Sequence, residues 1–102
     1  MNRSRLINTW DVPLAVPAIG DVLVTVRFTK LVGDLDLRLV TVGLAGSIGI
    51  RLDGDTVDRA VLTGSELDID IFADATGVRT LTLIARAAPT SFTYGELIML
   101  HK

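Results

Sequence analysis

Between Asp21 and Leu31 the chain alternates apolar and polar positions, with Val22, Val24, Val26 and Phe28 on one parity and Leu23, Thr25, Arg27 and Thr29 on the other. Strand side chains point to opposite faces with a period of two, whereas a helix repeats about every 3.6 residues, so this pattern selects β structure. It recurs along the chain. Leu35, Leu37 and Leu39 alternate with Asp36, Arg38 and Val40, and Ile48, Ile50 and Leu52 with Ser47, Gly49 and Arg51. Further on, Leu67, Ile69, Ile71 and Ala73 alternate with Glu66, Asp68, Asp70 and Phe72, and Leu81, Leu83 and Ala85 share a parity within 78–87. No window sustains helical periodicity.

Turn residues punctuate these runs. Val32-Gly33-Asp34, Asp53-Gly54, Gly64-Ser65 and Asp74-Ala75-Thr76-Gly77 join types that tolerate positive φ to types that cap backbone groups. Adding strands at Leu6–Val12, Thr56–Thr63 and Ser91–His101 gives about eight in one domain spanning 1–102. That spacing predicts an all-β fold, an antiparallel β-sandwich or a jelly-roll-like barrel. At this length the chain buries roughly 60–65% of its unfolded surface, enough for a core without metal or disulfide.

Composition narrows the function classes. The chain has no cysteine, which removes disulfides, thiolate metal sites and cysteine nucleophiles. Its net charge of −2 comes with no basic run, so nucleic acid is not an expected partner. Met1–Leu6 carries basic residues with no apolar run behind them, and no stretch reaches a membrane span, so neither a signal peptide nor a membrane partner is expected. The mean hydropathy of +0.49 is high for a small chain and suggests apolar surface covered by a partner.

Candidate sites are few. His101, the single histidine, has no second histidine or cysteine to complete a triad or zinc set, so no catalytic residue is expected and the chain does not read as an enzyme. Asp53, Asp55 and Asp58 form the one carboxylate cluster at metal-like spacing. They lack the order and the distant Glu of an EF-hand loop, and Asp caps on a turn explain them without a cation. No cofactor is expected. Glu66, Asp68 and Asp70 form an acidic stripe that neighbouring arginines such as Arg38, Arg51 or Arg79 could balance. Gly43, Gly46 and Gly49 lack the lysine and helix of a phosphate loop and suit a bent strand or bulge. Trp10, Phe72 and Tyr94 are the aromatics a glycan site would use, and the alternative reading is a small β-sandwich binding module for glycans or a receptor.

Two apolar segments point to interfaces. Pro13, Leu14, Val16 and Pro17 lie in an extended arm over 12–18 that two prolines keep out of a central strand. From Leu97 to Leu100 four consecutive positions are apolar, so both faces of the last strand should be covered. One face is expected against the core. Leu97 and Met99 are expected on the other, against a neighbouring subunit or the arm.

Short Val/Leu/Thr/Asp strands, the absence of cysteine, an apolar proline-containing arm and a strand running to the last residues together resemble the small β-sandwich accessory proteins of tailed-phage virions. These are capsid decoration, head-fibre and head or tail completion proteins. The resemblance implies a structural, non-catalytic protein of the virion, assembled in the host cytoplasm. Its partners would be itself, as a homo-oligomer such as a trimer, and a capsid or tail protein. The resemblance assigns a role to no individual residue.

Overall fold

The computed structural model describes residues 2–7, 18–87, 90 and 94–101, with 2–7 and Tyr94 described as backbone. It is all-β, and its two antiparallel sheets pack face to face. In chain order the strands are β1 (Asn2–Ile7), β2 (Val22–Lys30), β3 (Asp34–Val42), β4 (Ile48–Leu52), β5 (Ala60–Leu62), β6 (Glu66–Asp70), β7 (Gly77–Ala85) and β8 (Tyr94–His101). One sheet has the order β1-β8-β3-β6 and the other β2-β7-β4-β5. The chain therefore crosses between sheets at every connection except the β4–β5 hairpin and runs last beside first. This is the double-sheet arrangement of a jelly roll, and both strand count and class agree with the sequence reading.

The core sits between rows fixed by register. In the first sheet Leu97, Leu39 and Leu67 form one row and Met99, Leu37 and Ile69 the next. In the second, Val26, Leu81 and Leu52 form one row and Val24, Leu83 and Ile50 another. Leu37, Leu39, Ile48, Ile50, Leu81, Leu83 and Leu97 are wholly buried. Each contributes about 1.5–3 kcal/mol by leaving water.

Three expectations shift. A register slip between Val22 and Val24 makes β2 bulge, so Leu23 turns inward and Val22 is exposed, against their sequence parity. The returning strand expected over Thr56–Thr63 is only β5, because residues 53–59 are held as a loop by side-chain bonds described below. Strand β6 stops at Asp70, which leaves Ala73 in the following turn and exposed. The first and last strands are described over 2–7 and 94–101, and the remaining residues predicted for them lie outside the described residues.

The expectation for Leu97 and Met99 needs correction. They are 0% and 1% exposed in the single chain and belong to the central core. Strand β8 lies between β1 and β3, and its pairing with Leu39 and Leu37 turns these two side chains toward the other sheet. The opposite face carries Ile98 and Leu100, which are also buried within the chain. Both faces are covered, but the two residues expected to meet a partner are core residues.

Candidate functional site

The connections β2–β3, β4–β5 and β6–β7 lie at one end of the sandwich. Each opens with a four-residue turn ending in aspartate: Leu31-Val32-Gly33-Asp34, Leu52-Asp53-Gly54-Asp55 and Ile71-Phe72-Ala73-Asp74. In each, the aspartate N–H donates to the carbonyl of the first residue, at 3.2, 2.9 and 3.0 Å. In the first two the aspartate carboxylate also accepts the first residue's own N–H, at 2.7 and 2.9 Å. Gly33 and Gly54, at φ 95° and 91°, take the third position of the first two turns, where Ala73 in the third turn keeps a negative φ. The apolar–x–small–Asp signature is shared in the sequence, but the strand expected over Glu66–Ala73 runs across the third of these turns.

The three aspartates of the candidate metal cluster are dispersed among arginines. Asp53 accepts Arg79 Nε at 2.7 Å, and Asp55 accepts Arg59 Nε and Nη2 at 3.1 and 2.9 Å. Asp58 accepts Arg51 Nε at 2.9 Å and Arg86 Nε and Nη2 at 2.6 Å each. Among the described residues, no three carboxylate or histidine groups are grouped to hold a cation. The paired guanidinium groups hold the Asp55 and Asp58 carboxyls below the ordinary carboxylate range, chiefly through hydrogen bonds from Arg59 and Arg86.

Arg59 is the tie between turns. Besides Asp55 it donates to both carboxylate oxygens of Asp74, at 2.7 and 3.0 Å, joining the β4–β5 loop to the β6–β7 turn. Both carboxylates raise its pKa further above the ordinary arginine value. Planar two-pronged geometry of this kind fixes orientation as well as distance.

The acidic stripe behaves differently. Arg38 pairs with Asp68 at 2.7 Å and Glu66 at 2.9 Å, as expected, whereas Arg51 and Arg79 serve the loop aspartates. Asp70 stands directly across from Asp36. Burial, with Asp70 and Asp68 adding repulsion, raises the Asp36 pKa.

His101 is not a loose terminal residue. Its Nδ1 meets the carboxylate of buried Asp34, tying the end of β8 to the β2–β3 turn. Lys30, 2% exposed, directs its ammonium to the Phe72 carbonyl at 3.4 Å.

Apolar side chains crown this frame. Leu31, Val32, Val57, Phe72 and Val78 stand in the three turns and at the start of β7, all more than half exposed, with Val32 at 92%. Sequence reading missed this patch, because it assigned the exposed apolar surface to the arm and to β8. Pro13, Leu14, Val16 and Pro17 lie outside the described residues. No helix among the described residues is long and apolar enough to cross a membrane.

No family model, curated protein or solved structure matches this chain.

Proposed function

We propose that this chain is a structural assembly subunit, a virion accessory protein of the decoration or head/tail type, working through contacts with copies of itself and with the particle it joins. One observation carries the reading: five exposed apolar side chains stand at one end of the sandwich, on the β2–β3 connection, the start of β7 and the two connections that Arg59 ties together. Water-facing apolar surface on a fixed frame suits docking, because little conformational freedom is lost on binding. The jelly-roll strand order is shared with viral capsid domains and adds support by analogy alone. It is also shared with lectins. Of the aromatic side chains described, however, Phe28 is buried and Phe72 alone is exposed, a thin basis for stacking on sugars.

Light scattering of the purified chain tests the reading. The expected mass is a multiple of 10.9 kDa at micromolar concentration. A monomer that stays monomeric up to millimolar concentration would overturn it.

A further inference from the structure

We propose that the outer face of the β2-β7-β4 sheet binds inorganic phosphate, in a cavity where Arg51, Arg27 and the Thr80 and Thr82 hydroxyls meet the anion and Asp53 accepts its proton. The site goes beyond the assembly reading and does not depend on it.

Strand register builds the floor. Val26, Leu81 and Leu52 point into the core, so the alternate positions Arg27, Thr80, Thr82 and Arg51 point outward. Thr82 stands between Thr25 and Arg51, and Thr80 lies opposite Arg27. The Asp53 N–H donates to the Thr80 carbonyl at 2.9 Å, which sets the start of the β4–β5 loop alongside β7. Arg51, Asp53, Thr80, Thr82 and Ile84 line a cavity of about 290 Å³ there. Strands lie about 4.8 Å apart, so Arg27 and Arg51 rise on either side of β7 roughly 10 Å apart across the sheet. Both side chains are long enough to meet one anion over the threonines between them.

The donors left over favour an anion. A guanidinium carries five N–H donors. Arg51 directs Nε to Asp58 Oδ1 at 2.9 Å, and its Nη donors have no acceptor among the described residues. Arg27 is exposed and has no acceptor among the described residues. Arg51 and Arg86 share the one carboxylate of Asp58, so that set holds one positive charge in excess. Forked guanidinium donors match phosphate oxygens.

Asp53 decides between tetrahedral anions. Its Oδ1 accepts Arg79 Nε at 2.7 Å, whereas Oδ2 has no partner among the described residues. Sulfate has no proton to give and is repelled by this carboxylate. Inorganic phosphate at neutral pH keeps a P–O–H group that can donate to Oδ2, which turns the same carboxylate into a contact.

The test titrates the full chain with sodium phosphate, and separately with sodium sulfate, at pH 7 and constant ionic strength. Amide NMR shifts give the Kd. Saturable shifts at Asp53, Thr80 and Thr82 are expected with phosphate, and weaker binding with sulfate. Arg27→Gln and Arg51→Gln should each raise the phosphate Kd roughly 10-fold, as for a lost charge-assisted hydrogen bond. Arg38→Gln, on the other sheet, should leave it unchanged. Arg27→Gln alters an exposed side chain with no partner among the described residues, so it keeps the test decisive if Arg51→Gln fails to fold by circular dichroism. Shifts that do not saturate, or one Kd shared by Arg38→Gln and Arg27→Gln, overturn the site. Sulfate bound as tightly as phosphate overturns the role of Asp53 and the choice of phosphate with it.

Discussion

The Asp58 carboxylate lies over the backbone of Gly49: a Cβ at Gly49 would stand 2.5 Å from Asp58 Oδ2 and 2.8 Å from Arg86 Nε. Gly49 is buried in the middle of β4, on the face opposite Ile48 and Ile50. Its missing side chain is the space through which Asp58, from the β4–β5 loop, reaches both Arg51 and Arg86. The glycine is therefore there to admit an ion pair, and neither a phosphate loop nor a bulge accounts for it.

Gly49→Ala should destabilise the fold by about 1–3 kcal/mol, the usual cost of forcing a methyl group into an occupied space. The same substitution made on Asp58→Ala should cost much less, because the carboxylate it strikes is gone and Arg86 is no longer held beside Gly49. A double-mutant cycle by urea unfolding reads the coupling. Additive effects would mean that the carboxylate does not occupy this space.

Acid should act through two sets of aspartates with opposite sign. Asp55 and Asp58 have depressed folded pKa values, so they stabilise the fold above the ordinary carboxylate range, and that contribution is lost as pH falls through about 4 and below. The stability gap between wild type and Asp58→Asn should therefore close in acid. Asp36 has a raised pKa, so its charge opposes folding above that value and protonation relieves it. Asp36→Asn should add about 0.2–1 kcal/mol at pH 7 and nothing near pH 3. Melting temperatures across pH 3–7 check both.

Leu97→Ala should cost about 2–5 kcal/mol in urea unfolding, as expected for a leucine in a closed core. Val32→Ser, at a position 92% exposed, should stay within about 0.5 kcal/mol of wild type. If Leu97→Ala instead left stability intact and changed only the oligomeric mass, Leu97 would be an interface residue after all.

Chelation should leave the melting temperature unchanged, and added calcium should not raise it, because Asp53, Asp55 and Asp58 are each engaged by arginine. A rise of several degrees with calcium alone would mean that the cation displaces these guanidinium groups.

Much of the architecture was legible in the residues themselves. Period-two alternation marked the strands, and Val32-Gly33-Asp34 and Asp53-Gly54 marked turns, because both signals arise from local backbone geometry. The inward parity of β3, β4 and β7 followed from one face being polar. Parity failed where that contrast was missing. In β8 both faces are apolar, so only pairing with Leu37 and Leu39 decided that Met99 and Leu97 face the core. In β2 the bulge at Val22–Val24, set by the partner strand β7, reversed the orientation expected for Leu23.

The ion pairs depended on tertiary structure for a different reason. Arg86 reaches Asp58 and Arg59 reaches Asp74 across 28 and 15 residues of sequence, distances that no local spacing encodes. The sequence by itself determined that the chain is built of short strands, turns and an apolar core, since each follows from neighbouring side chains. Which arginine meets which aspartate, why Gly49 has no side chain, and which apolar residues are left facing water were decided only when the two sheets packed. Charges find their partners across the fold, as the strands do in every pairing described except β4–β5.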